Sequence, residues 1–266
     1  MSSNNPAETY ESYMVPTLFG PWAEVLIRSA QPRPGERVLD VACGTGIVAR
    51  RVAPIVGENG SVVGLDLNPD MLAVARSAAE REGLAIQWHE GQAEHLPFSD
   101  ASFYLVLCQF GVMFFADRRA ALREMHRVVR FGGRIALSVW QGLDRHPFYQ
   151  ALDEAIQRRL GMSGVQDIFV LGDANELRTL LEDAGFRVVT IEPVAMTARF
   201  PNPEVFLAGE IDVDTAAIPA MQHLDRQARK EVTAAIREDM EVPLRAATED
   251  EHVVLPFHAH VARADR

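Results

Sequence analysis

A carboxylate and two glycines stand close together in the segment Asp40-Val-Ala-Cys-Gly-Thr-Gly46. The apolar residues before this segment are typical of a β-strand and those after it of a helix, so the glycines are predicted to form the turn between them. Backbone N–H groups at the start of a helix attract a negatively charged ligand group. Asp40 adds a negative charge to the same turn, which favours a ligand that also carries a cationic group.

The glycine pattern is compatible with two classes of cofactor. Gly44-Thr-Gly-Ile-Val-Ala49 matches the G-x-G-x-x-[GA] pattern of dinucleotide-binding proteins, and Asp66 follows Gly46 by 20 residues, where such proteins place an acid against a ribose. Asp40, however, would repel a diphosphate. S-adenosylmethionine has no phosphate, and its amino-acid end carries both an ammonium and a carboxylate. The segment therefore favours S-adenosylmethionine, with Asp66 accepting hydrogen bonds from the ribose hydroxyls.

A third polar segment begins at Glu90, directly after a predicted strand. The side-chain carbonyl of Gln92 can accept a hydrogen bond from the exocyclic amine of an adenine. The backbone of Ala93 can contact the edge of the same ring. We therefore predict that Gln92 and Ala93 lie beside the adenine of the cofactor.

Strand-length apolar runs alternate with helix-length amphipathic segments along most of the chain, which is typical of an α/β fold with a parallel sheet and crossover helices. Strands are predicted at Arg37–Ala42, Ser61–Leu67, Ala85–His89, Phe103–Cys108, Gly133–Trp140, Arg187–Thr197 and Val253–Ala262. Helices are predicted near Gly46–Ala53, Pro69–Glu82, Arg118–Val129, Pro147–Arg159 and Ala174–Ala184.

The remaining segments divide the predicted chain into four parts. Residues 1–36 form an N-terminal helical cap, and residues 37–200 form the core that binds S-adenosylmethionine. Residues 201–251 are a helical insertion, because apolar residues recur there every three or four positions. The insertion is a substrate lid, a dimer face or ordinary core packing. Residues 252–266 are the final strand of the core.

The composition narrows the choice of partner. A net charge of -11 disfavours nucleic acid and a membrane surface as the main partner.

Lys230 is the only lysine, which excludes a P-loop and makes Schiff-base chemistry improbable. The two cysteines, Cys43 and Cys108, form no disulfide framework, so we expect a cytoplasmic protein. We also expect a monomer or a homodimer. No metal site is predicted, because His258 and His260 lack a third ligand.

Four motifs in this order resemble the class I S-adenosylmethionine-dependent methyltransferases, and within them the ubiquinone/menaquinone-type small-molecule branch. The resemblance covers roughly Val38 to Trp140 and is looser beyond. Its motifs are Asp40–Gly46, Gly64–Asp66, "GQAEHLPF" and "EMHRVVRFGGRIALSVW". It implies a Rossmann-like, doubly wound, seven-stranded sheet whose last strand is antiparallel, with the helical insertion between the last two strands.

The resemblance also implies roles for individual residues. The methionine part of the cofactor is surrounded by Asp40, Ala42, Gly44 and Gly46. The adenosine is held by Asp66, Leu67, Met71, Gln92 and Ala93, and Gln109 lies near the sulfonium. The aromatic residues of the N-terminal cap resemble the pocket cover of the family: Tyr10, Tyr13, Phe19 and Trp22.

Two positions depart from the family pattern. Ala42 stands where the family has the first glycine of its loop, and Gln92 stands where it usually has an acid. A small side chain at position 42 is expected to be tolerated. The glutamine weakens the adenine assignment without removing it.

Methyl transfer is a direct displacement at carbon, so the acceptor must be held in line with the methyl group, at about 3 Å, in a dry pocket. In open α/β sheets the acceptor lies beyond the carboxyl ends of the strands. This selects Phe110 and Phe114 after the fourth strand and Trp140 after the fifth. Their side chains favour transfer to O, C or N of a small apolar or aromatic metabolite, as in secondary metabolism. His146 is the candidate base, needed only if the acceptor must lose a proton.

Two other functions stay open at this point. One is an NAD(P)-dependent oxidoreductase, although the chain has no Tyr-x-x-x-Lys pair. The other is a protein that binds S-adenosylmethionine without catalysing a reaction.

Overall fold

The computed structural model describes residues 5–216 and 218–266. They fall into two compact units. Unit 1 contains the chain up to Val139 together with Asp173–Val194 and Ala259–Arg266. Unit 2 contains Trp140–Gly172 and Ala195–His258. The predicted boundaries at residues 36, 200 and 251 remain predictions.

Eight strands of the described chain form one mixed sheet, in the order β3-β2-β1-β4-β5-β8-β6, with β7 paired to β8. Their bounds are β1 Arg37–Val41, β2 Ser61–Asp66, β3 Ile86–Glu90, β4 Phe103–Gln109, β5 Val129–Trp140, β6 Arg187–Pro201, β7 Thr248–Glu249 and β8 His252–Asp265. β1 pairs in parallel with β2 and β4, so its carboxyl end lies at the centre of the parallel part. That position is where α/β sheets reverse their winding and bind ligands.

The last long strand runs against its neighbour. In unit 1, the N–H of Arg266 donates to the carbonyl of Gly133 (3.0 Å). In unit 2, the N–H of Gln141 donates to the carbonyl of His258 (2.9 Å). Position numbers that rise along β5 and fall along β8 define an antiparallel pair. The predicted sheet of seven strands with an antiparallel last strand is therefore confirmed, and the short β7 is added to it.

The helices of the described chain alternate with these strands. They are α1 Pro6–Thr9, α2 Gly20–Ala30, α3 Ile47–Val56, α4 Pro69–Arg81, α5 Arg118–Val128, α6 Pro147–Leu160, α7 Ala174–Asp183, α8 Pro203–Ala216, α9 Pro219–His223, α10 Arg226–Asp239 and α11 Glu241–Ala246. Helices α8 to α11 lie between β6 and β7 and confirm the predicted helical insertion. In unit 2, α10 packs against α6 and α8. In the described part of the chain, no helix is both long and apolar enough to cross a bilayer.

The prediction placed the start of β5 four residues too late. The observed strand begins at Val129, whereas the predicted strand began at Gly133. Val129 pairs with Phe103, and the register then shifts before Arg134 pairs with Leu105. A bulge of this kind takes up extra residues without ending the strand.

The N-terminal cap is helical and includes an unusual stretch. Between α1 and α2, Tyr10–Phe19 forms a π-helix that contains Pro16. Gly20 follows this stretch directly. The residue is glycine because a Cβ there would lie 2.8 Å from the carbonyl oxygen of Val15. Helix α1 packs against α4, and α2 packs against α3 and β4. The N-terminal segment therefore lies over the elements that flank the glycine turn.

The indole of Trp88 on β3 explains two of the glycines near the turn. A methyl group at Gly46 or at Gly64 would overlap its ring. Gly46 also has a φ of 82°, in the left-handed region that favours glycine. Trp88 thus packs over the turn and over β2, and small residues are required beneath it.

Replacing Gly46 by alanine is expected to destabilise the protein more than the same change at Gly161, which follows α6. Both residues are in the left-handed region, with φ and ψ of 82° and 21° at Gly46 and of 76° and 6° at Gly161, but a Cβ at Gly161 would meet no atom within 4 Å. Gly161→Ala should cost about 1–2 kcal/mol for the backbone conformation. Gly46→Ala should cost about 1–3 kcal/mol more, because the indole must move. Urea unfolding measures both; equal losses would contradict the role given to Trp88.

Candidate cofactor-binding site

The turn after β1 has three residues in the left-handed region. Their φ values are 55° at Ala42, 54° at Gly44 and 82° at Gly46. This conformation costs a non-glycine residue roughly 1–2 kcal/mol, which explains why the resembling family has glycine at position 42. Gly111 makes room for the alanine, since a Cβ at Gly111 would lie 2.7 Å from the Cβ of Ala42. The pairing of Ala42 with Gly111 accounts for the departure at this position.

Asp40 lies at the end of β1 and is almost fully buried, with 1% of its surface exposed. Its Oδ2 accepts a hydrogen bond from the N–H of Ala49 in the first turn of α3 (3.0 Å). Its Oδ1 is buried and has no hydrogen-bond partner among the described residues. Burial, together with the charge of Asp66, raises the pKa of Asp40 to about 8. The carboxyl is therefore mainly protonated at pH 7 and ionises when a cation approaches it.

Asp66 joins the end of β2 to the glycine turn. Its Oδ2 accepts from the N–H of Gly44 (2.7 Å), and its Oδ1 accepts from the N–H of Asn68 (2.9 Å). The side chain of Asn68 in turn accepts from the N–H of Asp70 and caps α4. Each carboxylate oxygen has two lone pairs, so these bonds leave acceptor capacity for ribose hydroxyls.

The residues assigned to the adenosine follow β2 and β3, which are neighbours in the sheet. The N–H of Gly91 donates to the carbonyl of Asp66 (3.0 Å) and holds the two strand ends together. Leu67 and Gln92 are exposed, Met71 is half-buried on α4, and Ala93 is buried. Their roles remain predictions, but the structure brings them to one edge of the sheet with Asp40.

Gln109 ends β4, the other neighbour of β1. Its Nε2 donates to the carbonyl oxygen of Phe19 in the π-helix (3.1 Å). Its Oε1 is buried and, within residues 5–216 and 218–266, has no hydrogen-bond partner. Thr45 in the glycine turn is 1% exposed, and its hydroxyl also has no hydrogen-bond partner among the described residues. Buried polar groups normally find partners, so these atoms are suited to a polar ligand.

These observations test whether the site suits the predicted cofactor. The unpartnered Asp40 Oδ1 is an acceptor for an ammonium, and the first turn of α3 favours a carboxylate. Gly44 leaves the turn open: a Cβ there would meet only the Tyr10 ring, at 4.0 Å. The donor set therefore fits the amino-acid end of S-adenosylmethionine.

Among the predicted cover residues, Tyr10 lies at the turn and packs on Phe19. Their rings stack with centroids 5.0 Å apart. Burial and the charges of Asp66, Glu11 and Asp40 raise the pKa of Tyr10, so its hydroxyl stays neutral. Trp22 is buried and packs edge-on against Phe110, with ring centroids 5.6 Å apart.

The residues assigned to the acceptor do not share one environment. In unit 1, Phe110 is buried with a φ of 50°, whereas Phe114 has 64% of its surface exposed. In unit 2, Trp140 is buried and packs on Phe257, with centroids 5.3 Å apart. Their roles as walls of an acceptor pocket remain predictions.

His146 is placed differently from an accessible catalytic base. It is 1% exposed, and its Nδ1 donates to the carbonyl of Gly142 (3.1 Å). Its Nε2 accepts from the N–H of His258 (3.1 Å). Burial lowers the pKa of the imidazole to about 4. Both nitrogens thus hold backbone groups within unit 2, a geometry that disfavours the predicted proton transfer.

The sequence reasoning missed a pair of acids in unit 2, of which Asp214 is buried and Glu210 is half-buried. Glu210 and Asp214 are four residues apart on α8, and Tyr149 on α6 hydrogen-bonds to Glu210. Burial raises the pKa of Glu210 to about 7 and that of Asp214 well above its ordinary value. The i, i+4 spacing of two acids was the available signal, but it is equally typical of a solvated helix face.

Arg50 was also missed. It lies on α3, is 7% exposed, and forms ion pairs with Glu11 and Glu82. A buried arginine normally requires such partners. Nothing in the sequence pattern separates Arg50 from its exposed neighbour Arg51.

Comparison with known proteins identifies the family. The model of the ubiE/COQ5 methyltransferase family matches residues 12–157, more than half of the chain. The ubiquinone/menaquinone biosynthesis C-methyltransferase UbiE of Photorhabdus laumondii is 33% identical over 184 residues, covering 64% of this chain and 73% of that protein. UbiE of Xanthomonas oryzae pv. oryzae is 44% identical over 115 residues, covering 42% of this chain and 46% of that protein.

Solved structures share the fold. YcgJ from Bacillus subtilis has a TM-score of 0.62 at 20% identity, covering 92% of this chain and 97% of its own. Phosphoethanolamine N-methyltransferase 2 of Haemonchus contortus, in complex with S-adenosyl-L-methionine, has a TM-score of 0.56 at 18% identity, covering 92% of this chain and 52% of its own.

These comparisons confirm the predicted family, cofactor and enzymatic activity, and they give no support to a nicotinamide-dependent oxidoreductase. The matched residues include the glycine turn, Asp66 and the end of β4. The chain belongs to the ubiE/COQ5 methyltransferase family and is a class I S-adenosylmethionine-dependent methyltransferase of the ubiquinone/menaquinone type.

Proposed function

We propose that this enzyme methylates a small apolar or aromatic metabolite, with Asp40 holding the cofactor's ammonium group. The observation that carries the cofactor assignment is the buried, unpartnered Oδ1 of Asp40 beside a turn in which a Cβ at Gly44 would meet only the Tyr10 ring, at 4.0 Å. The other residues proposed to bind the cofactor are Ala42, Gly44, Gly46, Asp66, Leu67, Met71, Gln92, Ala93 and Gln109.

When bound, S-adenosylmethionine supplies a methyl group that is attached to a sulfonium sulfur. When an acceptor attacks the methyl carbon in line, the carbon–sulfur bond breaks and the sulfur leaves as a neutral thioether. The protein contributes by binding the cofactor and orienting it. Asp40 receives the ammonium, Asp66 orients the ribose, and the Tyr10–Phe19 stack excludes water above the turn. No nucleophilic side chain is required for this reaction.

Fewer observations bear on the identity of the acceptor than on that of the cofactor. Phe110, Phe114 and Trp140 are proposed to contact it. Unit 2 contains a dense aromatic group, made of Trp140, Phe148, Tyr149, Phe169, Phe200, Phe206 and Phe257. The names of the UbiE relatives specify C-methylation in quinone biosynthesis. Transfer to a ring carbon of a hydroxylated aromatic compound is therefore the first reaction to test.

The proposed setting of the enzyme follows from its charge and cysteines. A net charge of -11 supports the proposal that neither nucleic acid nor a bilayer is a partner. Cys43 and Cys108 are free thiols buried in unit 1, which supports a reducing cytoplasm. A monomer or homodimer is proposed.

Titration calorimetry with S-adenosylmethionine and with NADH tests the cofactor. Release of S-adenosylhomocysteine across a panel of quinols, phenols and polyketides, with polar amines as a control set, tests the acceptor. Binding of S-adenosylmethionine and turnover confined to the aromatic set are expected. Binding of NADH without S-adenosylmethionine would refute the proposed site, and turnover confined to the polar amines would refute the acceptor class.

Asp40→Asn is expected to weaken binding of S-adenosylmethionine by about 1–3 kcal/mol, the scale of a lost charge-assisted hydrogen bond. The loss should depend on pH. Because the pKa of free Asp40 is about 8, ionising it for the ammonium releases a proton at pH 7. Wild-type affinity relative to the variant should therefore rise from pH 6 to pH 8 and then level off.

Calorimetry in two buffers of different ionisation enthalpy measures the proton release, with Asp40→Asn as the matched control. Equal affinity and equal proton release in the two proteins would remove Asp40 from the site.

The imidazole of His146 is expected to stay neutral until the pH approaches 4. A histidine whose pKa is lowered in the folded state contributes stability that is present above about pH 6.5 and is lost as the pH falls toward 4. Nuclear magnetic resonance titration of wild type against His146→Gln, whose amide can serve both backbone partners, measures the midpoint. A midpoint near 6.5 would restore His146 as a base.

A further inference from the structure

Arg50 links the helix that follows the glycine turn to the N-terminal segment. It lies four residues after Gly46 on α3, with 7% of its side chain exposed. Its Nη2 is 2.6 Å from Oε1 of Glu11, in the π-helix. Its Nη1 pairs with Glu82, the residue that ends α4. One guanidinium therefore joins three elements of unit 1.

Glu11 is adjacent in sequence to the residue that faces the glycine turn. Tyr10 places its Cε1 4.0 Å from the position that a Cβ at Gly44 would take. The Tyr10 ring stacks on Phe19, whose carbonyl oxygen is held by Gln109. The π-helix is thus fixed at both ends: Glu11 binds Arg50 near its start, and Phe19 binds Gln109 at its end.

The geometry makes the first of these contacts sensitive to substitution. The Glu11 side chain is 18% exposed, and its Oε2 is buried with no hydrogen-bond partner among the residues described. Removing Arg50 would leave this charge unpaired, which is far costlier than losing an exposed pair. A lysine would not replace Arg50, because a single ammonium lacks the planar fork that reaches two carboxylates.

We propose that Arg50 is a positioning residue: by pairing with Glu11 it holds Tyr10 and the π-helix closed over the bound cofactor, and it thereby sets the rates at which the cofactor enters and the product leaves. The inference rests on the proposed cofactor site. It assigns a function to an ion pair between residues that are not among those proposed to bind the cofactor. In many enzymes closure of such a segment, rather than the chemical step, limits turnover.

The two carboxylate partners of Arg50 provide a matched pair of variants. Glu11→Gln releases the N-terminal segment, whereas Glu82→Gln removes the other partner and leaves the segment held. Stopped-flow fluorescence measures association and dissociation of S-adenosylhomocysteine. Glu11→Gln is expected to speed dissociation by about tenfold, the effect of losing a buried ion pair being mainly on the off-rate. Glu82→Gln should stay within about twofold of wild type.

Hydrogen–deuterium exchange supplies a readout that needs no turnover. Glu11→Gln should increase exchange in residues 6–19 with and without ligand, and Glu82→Gln should not. Arg50→Lys, which keeps the charge, should resemble Glu11→Gln. Thermal unfolding checks that each variant is folded.

The outcomes separate this inference from the proposed function. If wild type binds S-adenosylhomocysteine but Glu11→Gln and Glu82→Gln dissociate at the same rate, Arg50 has no positioning role and the cofactor site stands. If exchange in residues 6–19 is unchanged in Glu11→Gln, the inference is also overturned. If wild type binds neither S-adenosylmethionine nor S-adenosylhomocysteine, the proposed site itself fails.

Discussion

The hydrogen bond between Asp40 and the N–H of Ala49 is the contact on which the rest of the site depends. It ties the last part of β1 to the first turn of α3 across the glycine turn, and it is almost fully buried. Since Asp40 uses one oxygen for this bond, the other is left facing inward without a partner in the described chain. The bond that fixes the turn thus also leaves free the oxygen that is proposed to receive the cofactor's ammonium. Burial raises the pKa of the carboxyl to about 8, so under the proposed function its ionisation is coupled to binding.

The surroundings of the turn follow from close packing. Trp88 requires glycine at positions 46 and 64, and Ala42 requires glycine at position 111. Each of these contacts lets a strand end approach its neighbour closely, which brings the ends of β1, β2, β3 and β4 to one edge. The geometry of the edge therefore depends on close packing as well as on its polar side chains. A change in Trp88 would act on the cofactor through the backbone of the turn.

Much of the fold and of the candidate site could be predicted from the sequence, because these features depend on residues that are consecutive in the chain. The strand–turn–helix pattern around Asp40, the acid at Asp66 and the alternation of elements are consecutive in the chain, and the motifs that resemble the family occur in that order. Prediction failed where distant residues decide the outcome. The start of β5 at Val129 depends on pairing with Phe103, and the environment of His146 depends on the backbone of His258. The burial of Arg50 depends on Glu11, 39 positions earlier. The pattern of residues within one segment does not indicate which distant residues will contact it.

The distribution of the family match suggests how the acceptor is chosen. The match ends at residue 157, whereas unit 2 continues through Ala195–His258. The glycine turn, Asp66 and Gln109, all proposed to bind the cofactor, lie inside the matched part. Helices α8, α9, α10 and α11 lie outside it, together with Glu210 and Asp214. Asp214 is buried beside the half-buried Glu210, and a buried acid is costly to keep and is not needed to fold a helix, so its presence requires a reason other than stability. Under the proposed function, a difference between the acceptor of this enzyme and those of its relatives is therefore to be sought in the part of unit 2 that lies outside the family match.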